Sequence, residues 1–188
     1  MNLQDNLSTT LAAPRPRGVT LVGIAGFAAA LALASQIAIP LPGTPVPLTL
    51  QPMLVELAGL WLGPSAAAAS MILYLTAGAL GLPVFTPLGA PGLARLVGPT
   101  GGYLIAYPAA AALAGWLALR AGGYARRALA ALAGMALIHV GGLAQMTVLT
   151  GDVQLAVVLA VLPFIAADVV KALVAALLAP DRTPRTRG

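Results

Sequence analysis

The stretch from Leu155 to Ala179 admits very few structures. It is apolar throughout except for Asp168 and Lys171, and as a helix it is long enough to cross about 30 Å of hydrocarbon. In lipid the backbone polar groups must be satisfied within the protein, so a run of this kind is a membrane helix. A charge at mid-membrane costs on the order of 2.5–3.5 kcal/mol on insertion scales, so an acid and a base together ask for a compensating partner or a ligand. Their spacing of three places both on one helix face, within reach of each other. Two readings follow: a buried pair that neutralises itself and does nothing else, or a pair lining a cavity, with the carboxylate accepting hydrogen bonds and the ammonium donating them. Pro163, five residues before Asp168, frees a backbone carbonyl and bends the helix near the same level.

The rest of the chain repeats the pattern. Hydrophobic residues make up 60% of 188 positions and charged residues 8%, against roughly 25% charged in a soluble domain. This composition predicts an all-α integral membrane protein. Apolar runs fall at 19–39, 48–62, 65–82, 103–119, 128–149 and 155–179, which predicts a single six-helix transmembrane domain over 19–179. The second run is a short or tilted span, and the third forms an antiparallel hairpin with it across Gly63-Pro64. Residues 1–18 read as a disordered cytoplasmic tail rather than a signal peptide, and 180–188 as a basic cytoplasmic tail.

Six spans place both termini on one side. Arg15, Arg17, Arg120, Arg126, Arg127, Arg182, Arg185 and Arg187 all fall on that side, whereas the opposite side holds Arg95. The positive-inside rule makes the arginine-rich side cytoplasmic, in a multi-pass protein of the plasma (inner) membrane. Two irregular segments then lie on the outer face: 40–47, with four prolines in eight positions, and 86–102, rich in glycine and proline. Such backbone needs protein or a water-filled cavity around it. The expected arrangement is an outward-facing pocket capped by these two loops.

The net charge of +5 does not indicate nucleic acid, because the basic residues sit in short flanks without interleaved aromatics. With no cysteine and a single histidine, His139, a metal cluster is not expected. His139 reads as a packing residue. Gly98-Pro-Thr-Gly-Gly-Tyr103 lacks the lysine ending and the preceding strand of a nucleotide loop. Arg95 is either a solvated loop charge or the partner of a carboxylate, for which its planar fork is preorganised. Tyr74, Gln51 and Gln145 can each bond a ligand or bond across helices. Glu56 is an intramembrane acid with no base nearby in sequence, for which protonation, a cavity position and a subunit contact all stand as readings.

Several strings are similar to the BioY proteins, the biotin-specific substrate-capture (S) components of energy-coupling factor transporters. They are Ser35-Gln-Ile-Ala-Ile-Pro-Leu-Pro-Gly-Thr-Pro-Val-Pro-Leu-Thr-Leu-Gln51, Gly78-Ala-Leu-Gly-Leu-Pro-Val-Phe85, Leu96-Val-Gly-Pro-Thr-Gly-Gly-Tyr-Leu104, and Leu162-Pro-Phe with the Asp168-x-x-Lys171 pair. The resemblance, over about residues 27–179, implies an S-component-like bundle of six helices that takes biotin from outside. It further implies docking on a transmembrane coupling subunit driven by two ATPases, which bind the ATP, so no cofactor and no enzymatic chemistry are expected in this chain. Asp168 and Lys171 match the family's binding pair, and Arg95 matches a loop arginine of some members. Ile165-Ala-Ala-Asp168 departs from the usual Pro-Gly-Asp, and Glu56 stands where an apolar residue is usual. The competing classes are a self-sufficient transporter or channel using Asp168 or Glu56 as a proton relay, and a membrane enzyme using Asp168 and Lys171 as acid and base.

Overall fold

The computed structural model describes residues 17–119 and 123–181, so the expectations for the two tails, and for most of the arginines that assign the sides, lie outside it. The described residues form α1 (Arg17–Ser35), α2 (Gln51–Leu62), α3 (Pro64–Ala79), α4 (Leu93–Val97), α5 (Gly101–Leu119), α6 (Tyr124–Thr150), α7 (Val153–Ala160) and α8 (Ile165–Leu178). Among them the sole strand-like feature is an isolated antiparallel bridge between Ile39 and Leu48. The all-helical expectation therefore holds.

Helices α5 and α6 are each long and apolar enough to cross a membrane, and α7 with α8 qualifies as a third span bent by 53°. The apolar parts of α1 (Thr20–Ser35) and α3 are shorter. At 12 residues α2 is about 18 Å long, too short to cross alone. Large apolar side chains such as Leu33, Val148 and Leu177 point outward and are exposed, the surface a bilayer requires.

Helix α5 is the centre of the bundle and packs on α2, α3, α4 and α6. It approaches two of these neighbours backbone to backbone. A Cβ on Gly59 of α2 would lie 2.5 Å from the Ala111 carbonyl oxygen, and one on Gly115 would lie 2.9 Å from the Gly59 carbonyl. A Cβ on Gly102 would fall 2.0 Å from the Gly141 carbonyl of α6, and one on Gly141 would fall 2.4 Å from that of Gly102. In lipid, where apolar burial gives helices no net drive to associate, such close packing of small residues replaces it. The buried interior is accordingly rich in alanine.

Three boundaries differ from those expected. Helix α1 stops at Ser35 rather than running to residue 39, because Pro40 and Pro42 exclude a continuing helix. The following segment doubles back, with the Ile39 and Leu48 amides each donating to the other's carbonyl at 2.9 and 2.8 Å. The segment 86–102 is not all loop, since it contains α4 and the start of α5. The run 155–179 is two helices: Pro163 lacks the N–H that would bond the Leu159 carbonyl, and the chain turns over 161–164 before α8 begins.

At one end of the bundle the end of α1, which leads into the first Pro/Gly-rich segment, is bonded to residues 84–85, which lead into the second. Ser35 Oγ donates to the Val84 carbonyl at 2.6 Å, and Gln36 Nε2 donates to the Phe85 carbonyl at 3.2 Å. At the opposite end Arg127 lies 3.4 Å from Asp181, and the Trp61 indole donates to the Leu178 carbonyl at 3.2 Å.

Glu56 sits between α2 and α6, fully buried against Gly134, where a Cβ would fall 2.2 Å from Glu56 Oε2. Neither carboxyl oxygen has a hydrogen-bond partner among the described residues.

The α5–α6 contact yields a stability test. Gly102→Ala or Gly141→Ala forces backbone apart along the central helix, and overpacking of this kind costs about 1–3 kcal/mol. Thermal unfolding in detergent should show a lower midpoint for both variants, whereas Gly26→Ala, which meets nothing within 4 Å, should unfold like the parent.

Candidate functional site

Beneath these two segments lies a cavity enclosing about 530 Å³ of empty space, its open mouth included. Five of the residues singled out in the sequence line it: Gln51, Tyr74, Arg95, Asp168 and Lys171. They come from α2, α3, α4 and α8, so helices far apart in sequence converge on one space.

The floor is the acid–base pair. Lys171 Nζ donates to Asp168 Oδ1 at 2.7 Å, and both residues are buried, at 7% and 5% exposure. The break at 161–164 explains how a carboxylate is tolerated at this depth. It creates a fresh helix N-terminus at Ile165, and Asp168 lies in the first turn, where unpaired N–H groups and the helix dipole favour negative charge. The cost of breaking the helix is offset by side chains from other elements. Thr44 of the 36–50 segment donates to the Leu159 carbonyl at 2.7 Å, the carbonyl that Pro163 leaves unpaired. Tyr103 of α5 donates to the next carbonyl, that of Ala160.

On the opposite face of Asp168, His139 of α6 places Nε2 3.0 Å from Oδ2. Neither ring nitrogen makes an aligned hydrogen bond, so the contact is one of proximity. His139 is therefore not the plain packing residue expected from the sequence. Nothing in the linear pattern places it beside Asp168, because that neighbourhood depends on how α6 and α8 cross.

The wall is aromatic. Tyr103, Tyr107, Tyr74, Phe85 and Phe164 all face the space. Tyr74 accepts a hydrogen bond from Gln51 Nε2 at 2.7 Å and meets the Phe85 ring edge-on, with centroids 5.4 Å apart. Gln51 and Tyr74 thus line the cavity and bond across helices at once. Two glycines seat these rings: a Cβ on Gly142 would strike Tyr103, and one on Gly78 would strike Phe85, each within 2.2 Å. The glycines of the Gly-Pro-Thr-Gly-Gly-Tyr string are explained by packing, and its Thr and Tyr by the cavity. Gly101 gives α4 room against α5, Gly102 admits α6, and Thr100 and Tyr103 face the cavity.

Arg95 forms part of the roof. It is buried, at 6% exposure, and not a solvated loop charge. Its Nη2 donates to the Thr86 carbonyl at 2.7 Å and its Nη1 to that of Leu88, so the guanidinium staples the loop that carries Phe85. Gly89, at φ 96°, passes so close that a Cβ there would lie 2.9 Å from Nη1. Burial pulls the guanidinium pKa below its ordinary value, though arginine keeps its charge in proteins. Nε has no partner among the described residues. Glu56 is not among the cavity's lining residues, and Gln145 is spent on the Val97 carbonyl at 2.9 Å.

Fold and cavity together define an integral membrane protein with a pocket among its helices lined by aromatic rings and a few convergent charged and polar groups. The BioY family profile matches residues 8–187. The chain is 40% identical to a probable biotin transporter BioY of Pyrococcus horikoshii over 167 residues, covering 88% of this chain and 95% of that one. It is 35% identical to a biotin transporter BioY of Thermotoga maritima over 153 residues, covering 81% and 89%. Its fold matches the crystal structure of the S-component for biotin from an ECF-type ABC transporter with a TM-score of 0.80. That match has 26% identity and covers 89% of this chain and 92% of the other. The chain belongs to the BioY family.

The helix break generates its own test. Thr44→Val keeps the shape but leaves the Leu159 carbonyl unpaired, and a buried unsatisfied acceptor costs about 1–3 kcal/mol. Thermal unfolding should shift downward for Thr44→Val and much less for Thr44→Ser, which retains the hydroxyl.

Proposed function

We propose that this chain captures biotin and takes it up across the membrane as the substrate-specific component of an energy-coupling factor transporter. Membership in the BioY family and the likeness to a biotin S-component support biotin as the solute. The observation that carries the assignment of ligand contacts is the convergence of an acid–base pair and a buried arginine on one cavity.

The chemistry of the solute fits the polar groups. Biotin's ureido end has two N–H donors and one carbonyl, which suit the Asp168 carboxylate as acceptor and the Lys171 ammonium as donor. Its valerate carboxylate then reaches toward the roof, where Arg95 supplies a charge-assisted partner. The aromatic wall takes the apolar bicycle, and the Gln51–Tyr74 pair offers further hydrogen bonds. Nothing in the cavity resembles a nucleophile with its base, which favours binding over catalysis.

In the membrane, the reading is a bundle of six membrane elements with both termini in the cytoplasm. The loops that carry Val46 and Arg95 then face outward, over the mouth of the pocket. The short α2 and the broken α7–α8 count as two of the six elements. A transmembrane coupling subunit and two ATPase subunits provide the energy for release inward, and the plasma membrane is the location.

Equilibrium binding of labelled biotin to purified protein tests the reading. The parent should bind with a Kd in the micromolar range or tighter. Asp168→Asn and Lys171→Ala should each weaken binding by about 30-fold or more, since each leaves a buried charge or ligand group unmatched. Arg95→Gln should weaken biotin more than biotin methyl ester, which lacks the carboxylate. A folded parent that fails to bind biotin would overturn the assignment.

A further inference from the structure

His139 stands behind the pocket rather than in it. It is absent from the cavity lining, yet its Nε2 lies 3.0 Å from Asp168 Oδ2. Asp168 is thereby flanked on both oxygens, with Lys171 on Oδ1 and His139 on Oδ2. The histidine ring is held by its surroundings: Tyr103 meets it edge-on with centroids 6.4 Å apart, and Tyr103 is itself fixed by the Ala160 carbonyl and by the space that Gly142 leaves.

A carboxylate offers about four lone-pair positions. Lys171 occupies one on Oδ1, and His139 Nε2 lies 3.0 Å from Oδ2 without an aligned hydrogen bond, so acceptor positions on both oxygens remain for donors arriving from the cavity. Rotation of the carboxylate about its Cβ–Cγ bond would spoil that match. Lys171 alone, three residues away on the same helix, fixes one oxygen; a second contact from a different helix fixes the plane.

We infer that His139 is a positioning residue, which orients the Asp168 carboxylate so that one acceptor site on each oxygen faces a ligand bearing two adjacent N–H donors. The sign of the contact requires a proton on Nε2, because a bare nitrogen lone pair facing a carboxylate is repulsive. This inference rests on the proposed contact between Asp168 and the ureido group.

Because His139 is the only histidine in the chain, untagged protein labelled with ¹⁵N-histidine gives the signals of one ring with no assignment problem. In the parent, the spectrum should report a proton on Nε2, and Asp168→Asn should move the ring signals. A ring protonated solely at Nδ1, or one insensitive to Asp168→Asn, would overturn the inference. Biotin titration is the second arm. His139→Leu should weaken binding by about tenfold, and His139→Gln, which returns an N–H near the Nε2 position, should recover most of the loss. In an Asp168→Asn background, His139→Leu should cost nothing further, since its target is gone. Losses that simply add, or a His139→Leu protein that binds like the parent, would overturn the inference. Failure of the parent to bind biotin would instead remove the functional reading, and the ring spectrum would still decide whether His139 holds Asp168.

Discussion

An ionic group inside an apolar bundle must be matched, and the structure around the cavity follows from how Asp168 is matched. Its carboxylate meets Lys171 at 2.7 Å and His139 at 3.0 Å and sits in the first turn of α8. Each of these needs something else to be in place. The helix start exists because Pro163 breaks the run, and the break is tolerable because Thr44 and Tyr103 take the carbonyls of Leu159 and Ala160. A broken helix in lipid is permitted where protein satisfies its backbone, and the broken segment then presents a terminus at the depth of the site.

The loops are part of the same construction. Thr44 ties the 36–50 segment to the break, Ser35 and Gln36 tie the end of α1 to 83–85, and Arg95 ties α4 to 86–88. Every tie ends on a backbone carbonyl, that of Leu159 at the end of α7 or those of the irregular segment 83–88. Side chains thereby do for these loops what water does for loops of a soluble protein. The roof of the pocket is held by a few specific polar bonds above a core of small residues.

Glu56 shows a different answer to the same problem. It has no basic partner within hydrogen-bond reach among the described residues, is fully buried, and fits against Gly134, a position without a Cβ. It lies outside the cavity lining, so it takes no part in the ligand contacts proposed for Asp168. Its burial within the chain removes the reading of Glu56 as a subunit contact, and its absence from the lining removes the reading of it as a residue of this cavity.

By itself the sequence determined that this is a helical membrane protein, that the proline-rich segment 40–47 cannot be a regular helix, and that Asp168, Lys171 and Arg95 need an explanation. These follow from composition, run length and the absence of a proline N–H, all of which are local. The BioY strings pointed to the solute for the same reason, being contiguous. Only the tertiary structure decided that Gln51, Tyr74, Arg95, Asp168 and Lys171 share one cavity, that Arg95 is buried, and that His139 stands against Asp168. Only it showed that the last hydrophobic run is two helices, since a proline can bend a helix or end it and the choice rests with partners for the freed carbonyls. Contacts between α6 and α8, or between loop 36–50 and α7, join residues up to 115 positions apart, and no periodicity in the chain records them.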